Sequence, residues 1–203
     1  MDDKKYRIER LNRSYASCIN CHKCIHKHKV FGIGDINSRI CIIGNIPEQI
    51  DIDSKKPFAS KTGILLEKII NSVGVNSSDI YYTNALLCMT NDKNRIPTDD
   101  EMSNCRKRLY KEISIIEPLV TILVGTTALR TVLGLHKKIA TEHGNWKTTL
   151  SKPCYFYFPI YHPNWIMKSV SDGERKLRKE IMWADIQEFK EGLNTFKEHF
   201  REV

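Results

Sequence analysis

Nowhere in this chain does an apolar run approach the roughly 20 residues that a membrane-spanning helix needs, so no membrane span is expected. The first residues, Met1 to Tyr6, are charged and lack the apolar core of a secretory signal, which points to a cytoplasmic protein. Internal repeats and low-complexity tracts are absent, which excludes solenoids and composition-driven disorder. Acidic residues are outnumbered, 24 against 32 basic ones, for a formal net charge of +8. A surface with that sign suits a polyanion such as nucleic acid. Cysteine is the exception to this scarcity: there are seven. An odd count in a chain without a secretory signal argues against a complete disulfide framework and for a metal or cluster site using some of the thiols.

The 203 residues fit one domain, 1–203, large enough to bury a core without covalent staples, and a monomer is expected. Hydrophobic residues at 41% and charged ones at 28% give an ordinary globular profile. Residues 3–17 carry Ile8, Leu11 and Tyr15 at helical spacing and run into the Cys-rich segment Cys18-x2-Cys21-x2-Cys24. Ile40 to Ile43 is a short, mostly β-branched apolar run that stops at Gly44, as a buried strand does. Similar strands are expected over 79–88, 119–124 and 154–158.

Between these strands lie a long loop at 44–60, a helix over 62–73, a helix from Thr98 to about Ile116, and a short helix from Thr127 to Leu133. Thr98 with Glu101 three residues on reads as a capping box. A last helix is expected from about 173 to 201, with Leu177, Ile181, Ala184 and Phe189 among its apolar positions. Strands alternating with helices imply an α/β fold, a three-layer α/β/α sandwich on a four-stranded parallel sheet.

In such a sheet, ligands bind beyond the carboxyl ends of the strands. Asn45 follows the first strand, Asn84 belongs to the end of the second, and His162 follows the fourth. With Phe58 from the long loop, these amides, imidazole and ring make a set suited to gripping a flat heterocycle: an amide can pair with its edge and a ring can stack on its face. Cys88 and Cys105 join the three N-terminal cysteines as thiolate donors for an iron–sulfur cluster or zinc, and spacing does not choose between the metals. Cys41 and Cys154 read as buried thiols of strands.

The chain resembles the family-four uracil-DNA glycosylases, the iron–sulfur branch of that superfamily, from about Cys18 to the last helix. The motifs that carry the resemblance come in order. They are Val30-Phe-Gly-Ile-Gly34, Gly44-Asn-Ile-Pro47, Pro57-Phe58 with Thr62-Gly63-Ile-Leu-Leu66, Tyr82-Thr-Asn84 with Cys88, Asn94-Arg95-x-Pro97 with Cys105, and Pro159-x-Tyr161-His-Pro163. The resemblance implies a monofunctional DNA glycosylase that flips uracil or a modified pyrimidine out of DNA and cleaves its N-glycosidic bond. It implies that Phe58 stacks on the base and Asn84 reads its edge, that Gly44, Asn45 and Ile46 line the pocket, and that His162 stabilises the departing anion. It also implies a structural [4Fe–4S] cluster on Cys88, Cys105 and an N-terminal pair, for which Cys18 and Cys21 fit best and Cys24 competes; zinc is the alternative.

The chain departs from the family pattern in three places: Asn45 replaces its Glu, Glu48 replaces its Gly, and Ala59-Ser60-Lys61 replaces its Val-Gly-x. An amide is no general base, but Asn45 can still serve catalysis by orienting a water. A modified pyrimidine, of the kind found in phage DNA, and a DNA-binding protein without turnover are therefore the competing expectations, together with a zinc-stabilised nucleic-acid module.

Overall fold

Continuous apolar runs form strands that are buried on both faces, and four of them make the centre of this molecule. A computed structural model describes residues 3–21, 24–25, 28–92, 95–149 and 156–199. The described part of the N-terminal segment holds α1 (Asp3–Ala16) and the strands β1 (Cys24–Ile25) and β2 (Ile33–Gly34). The first long strand, β3 (Ile40–Gly44), is followed by α2 (Gln49–Ser54) and α3 (Lys61–Asn71). Then come β4 (Ile80–Asn84), β5 (Met89–Thr90), α4 (Asp99–Ile116), β6 (Val120–Val124) and α5 (Thr126–Leu133). The chain closes through α6 (Ile139–Glu142), β7 (Lys147–Thr148), β8 (Phe156–Ile160), α7 (Asn164–Met167) and α8 (Asp172–His199).

The sheet order is β2-β4-β3-β6-β8-β7. The four expected strands, β4, β3, β6 and β8, are parallel and central. The expected four-stranded sheet is thus extended to six by a two-residue antiparallel strand on each edge. A second small sheet pairs Cys24 with Thr90 and Ile25 with Met89, and so ties the Cys-rich segment to the loop after β4.

Alternation of side chains along β3 builds the layers. Cys41 and Ile43 face a core formed with Ile8 and Leu11 of α1, Leu109 and Ile113 of α4, and Leu129 of α5. Ile42 faces the other core, with Leu66 and Ile70 of α3 and Met182, Ile186 and Phe189 of α8. The result is the three-layer sandwich. The buried stripe of α8 is Met182, Ile186, Phe189 and Leu193, whereas Leu177 and Ala184 are exposed. Of the apolar positions expected in this helix, Phe189 is buried and Ile181 half-buried, while Leu177 and Ala184 lie off the i, i+4, i+7, i+11 series that meets the sheet.

The capping box of α4 is present: Glu101 N–H donates to Thr98 Oγ1 at 3.3 Å and Thr98 N–H to Glu101 Oε2 at 2.8 Å. Other boundaries differ from the sequence reading. The 44–60 loop contains α2, and 136–150 contains α6 and β7. The second strand ends at Asn84 rather than continuing to Cys88, since Ala85 N–H turns to Gly44 O at 2.8 Å and Leu86 N–H to Asn45 O. The fourth strand begins at Phe156; Cys154 and Asn94 lie outside the described residues. Among the described residues, no helix is long and apolar enough to cross a membrane.

Candidate active site

The crossover from β3 leads to β4 on one side, while that from β6 leads to β8 on the other. The switch point of the sheet therefore lies between the ends of β3 and β6, where doubly wound folds bind ligands. A cleft of about 570 Å³ opens there, with Asn45, Ile46, Arg95, Thr127, His162 and Lys168 among its walls.

Asn45 bridges the switch point. Its Oδ1 accepts the backbone N–H groups of Thr127 at 3.0 Å and Ala128 at 3.1 Å. The side chain thereby satisfies two donors at the first turn of α5, a capping role supplied from another strand. Its oxygen is committed to the helix. Asn45 and His162 are neighbours across Gly125: a methyl added there would lie 2.6 Å from Asn45 Nδ2 and 3.1 Å from His162 Cβ.

His162 is partly exposed in the cleft wall. Asn164 N–H donates to its Nδ1 at 3.3 Å, so the proton of the neutral ring sits on Nε2. Burial first, and Lys168 second, lower its pKa to about 4. At neutral pH the ring is thus an uncharged N–H donor. The loop that carries it is held by Tyr161 stacked on Trp165 at 3.9 Å, with the Arg178 guanidinium 5.0 Å from the Trp165 ring centre.

Asn84 and Phe58 meet one residue further in, at Gly44. A Cβ built on Gly44 would lie 2.4 Å from Asn84 Oδ1 and 2.6 Å from Phe58 Cζ. Only a residue without a side chain admits both. Asn84 is buried, and its Nδ2 has no hydrogen-bond partner among the described residues. A buried amide donor left over in this way is suited to a ligand. Beneath it, Arg108 Nη2 donates to Asn84 O at 2.7 Å and Arg108 Nη1 to Glu112 Oε2 at 2.5 Å. Glu112 also accepts from Tyr81 Oη and Thr83 Oγ1, both at 2.9 Å. Arg108 and Glu112 are each 1% exposed, so the strand end that presents Asn84 rests on a fully buried ion pair.

The expected thiols also converge. Cys18, Cys21, Cys24, Cys88 and Cys105 line one recess beside Tyr15 and Lys29. The Cys21 thiol donates to Cys105, which lowers Cys105 to about 6 and raises Cys21. Burial raises Cys88 to about 11 against the pull of Lys29. Cys24 is engaged elsewhere: its thiol donates to Glu101 Oε1 at 3.5 Å. Glu101 in turn binds Arg95 through two 2.7 Å bonds. Among the described residues, no three His, Cys, Asp or Glu side chains close on a point as the ligands of a single metal ion do.

Sequence reasoning missed the two amides of α5 and the Arg108–Glu112 pair. Arg108 and Glu112 stand at i and i+4 on a helix, a spacing common on solvated surfaces, and nothing local marks this pair as buried. The His162 geometry makes a direct prediction. In ¹⁵N NMR, His162 should be the Nε2–H tautomer throughout the neutral range and titrate near 4. Because folding depresses this pKa from 6.5, the stability that the neutral ring contributes is complete above pH 6.5 and is lost as pH falls toward 4. A midpoint near 6.5, or an Nδ1–H tautomer, contradicts the assignment.

Residues 31–187 match the model of the uracil DNA glycosylase superfamily. The chain is 27% identical over 185 residues to a type-4 uracil-DNA glycosylase of Thermotoga maritima, covering 90% of this chain and 93% of that protein. It is 30% identical over 187 residues to a type-4 uracil-DNA glycosylase of Saccharolobus solfataricus, covering 86% of this chain and 82% of that one. A DNA polymerase of Bacillus phage SP01 is similar over 154 residues at 29% identity, 75% of this chain but 16% of the polymerase. With more than half of its length in the family match, and with the strand ends of the sheet carrying the pocket just described, the chain belongs to the uracil DNA glycosylase superfamily.

Proposed function

We propose that this protein is a monofunctional DNA glycosylase that excises uracil, or a closely related pyrimidine, from DNA. The observation that carries the reading is the convergence at Gly44 of the Phe58 ring and an Asn84 amide with an unused donor, where the next residue, Asn45, shares a cleft with His162. The base stacks against Phe58. Asn84 Nδ2 donates to a pyrimidine carbonyl while its Oδ1 accepts the ring N–H, which selects a uracil-type edge. When the C1′–N1 bond breaks, the electron pair leaves with the base, and the neutral His162 Nε2–H donates to the oxygen on which charge accumulates. Water adds to C1′ and gives up a proton. The net charge of +8, and Arg95 and Lys168 in the cleft wall, suit the phosphates of the strand.

Asn45 holds no proton that it can usefully exchange, and its oxygen is occupied by α5. It therefore contributes position rather than base catalysis. Replacement by Asp is isosteric, keeps both helix bonds, and places a second acceptor where Nδ2 stands. Under single turnover on uracil-containing DNA, wild type should release uracil and leave an abasic site. His162→Ala should be slower by about 10²–10³-fold, and Asn45→Asp faster by about 10-fold or more. An oligonucleotide with a bulky 5-substituted uracil, run in parallel, separates the two substrate readings. DNA binding with no base released from either substrate would identify a non-catalytic member of the family.

The thiol recess fits a [4Fe–4S] cluster held by Cys18, Cys21, Cys88 and Cys105. Its donors are the sulfur ligands such a cluster requires, and Lys29 and Arg108 lie close enough to favour thiolates at Cys88 and Cys105. Cys24 is the least suited of the five, because its thiol already has a carboxylate partner. These four residues would hold the cluster between the segment after α1, the turn after β4 and α4, where its contribution would be structural. Anaerobically purified protein should carry about four irons per chain. Cys105→Ala should lose them and melt earlier, while Cys24→Ser should keep them. Stoichiometric zinc in colourless protein, or iron lost in Cys24→Ser but kept in Cys18→Ser, contradicts this ligand set.

A further inference from the structure

The chain leaves the sheet at Gly44 and returns to regular structure at α3, and Asp51 stands at the centre of that excursion. It is buried, at 4% exposure. Its Oδ2 accepts Glu48 N–H at 2.8 Å and its Oδ1 accepts Ala59 N–H at 2.8 Å. One carboxylate thus ties the start of α2 to the residue immediately after Phe58. Between those two anchors, Lys55 and Phe58 both adopt left-handed backbone, with φ of 56° and 58°. A bulky side chain rarely takes that conformation unless its surroundings impose it. The other face of the turn is closed by Gly63, where a Cβ would lie 1.8 Å from Phe58 O. The ring is left with its tip at Gly44 and in a T-shaped contact with Tyr82, with centroids 5.8 Å apart.

We propose that Asp51 is the positioning residue for Phe58: its two oxygens hold the loop in the strained turn that places the ring at Gly44 beside Asn84. The inference rests on the reading of Phe58 as the base-stacking ring and deepens it. Asp51 touches neither base nor sugar in this account. The two backbone donors bind different oxygens of the carboxylate, and an amide has only one oxygen. In Asp51→Asn, one N–H loses its partner and faces an NH2 group instead. The turn can then relax, and Phe58 moves out of register with Asn84.

The test is a double-substitution cycle of Asp51→Asn and Phe58→Ala under single turnover on uracil-containing DNA. Asp51→Asn alone should slow base release by about 10²-fold, as expected of a displacement of about 1 Å. Duplex affinity should change by no more than about 2-fold, because phosphate contacts dominate it. In the Phe58→Ala background, Asp51→Asn should add less than about 2-fold, since residues that act through one contact are not additive. If the two effects multiply, Asp51 supports the fold generally and the proposal fails. A second measurement does not need turnover. Lys55 and Lys56 are exposed, and trypsin should cut the Lys55–Lys56 bond at least several-fold faster in Asp51→Asn, with other sites unchanged. An unchanged rate there overturns the proposal. Wild type that releases no base would overturn the glycosylase reading instead, and the tryptic rate would still decide whether Asp51 clamps the turn.

Discussion

The absence of a side chain at Gly44 is the constraint on which the site depends. Gly44 is paired in register with Asn84 on the neighbouring parallel strand, and the Phe58 loop folds back over the same point. Hydrogen-bonded strands fix the spacing of the two backbones to within a few tenths of an ångström. The sheet therefore fixes Asn84 against Gly44, and the loop held by Asp51 brings the Phe58 ring to the same point. The next residue, Asn45, carries the strand direction onward and binds the first turn of α5. Two consecutive residues thus organise the meeting of Asn84 with Phe58 and the switch point between β3 and β6.

Support for this arrangement comes from below and from the side. Arg108 and Glu112 form a buried pair whose removal from water is costly, and such pairs contribute little net stability compared with apolar replacements. Here the pair has a specific geometric result: Arg108 binds the carbonyl of Asn84, and Glu112 gathers Tyr81 and Thr83 of the same strand. The Arg108 charge also reaches Cys88 and Cys105. Helix α4 consequently serves both places: Cys105 lines the thiol recess, and Arg108 supports the strand end that presents Asn84.

Much of the fold was legible because parallel strands buried on both faces leave uninterrupted apolar runs, as in Ile40–Ile43 and Val120–Val124. The α4 cap was legible because Thr98 and Glu101 form a purely local motif. The edge strands and the Cys24–Thr90 pairing were not, since two-residue strands leave no periodicity. Helix α2 was hidden because Ile50 and Ile52 alternate with aspartates, a pattern nearer to strand than helix. The placement of Asn45, Asn84 and His162 at or just past strand ends was legible from the apolar runs that precede them. The double use of Asn45 as pocket wall and helix cap was not, because its partners are 82 and 83 residues away. Asp51 escaped notice for a related reason: a carboxylate in a run of charged residues reads as solvated until the fold encloses it.

The most direct test of this account is a single methyl group added at the point of convergence. Gly44→Ala leaves the backbone pairing of β3 intact and forces its methyl between Asn84 Oδ1 and Phe58 Cζ, both side-chain atoms that can give way. The variant should retain the circular dichroism and cooperative melting of wild type, and should still bind duplex DNA, yet release uracil at least about 10²-fold more slowly in a single turnover. Release at the wild-type rate from a folded Gly44→Ala protein would contradict the account, because the base pocket would then not be built at Gly44.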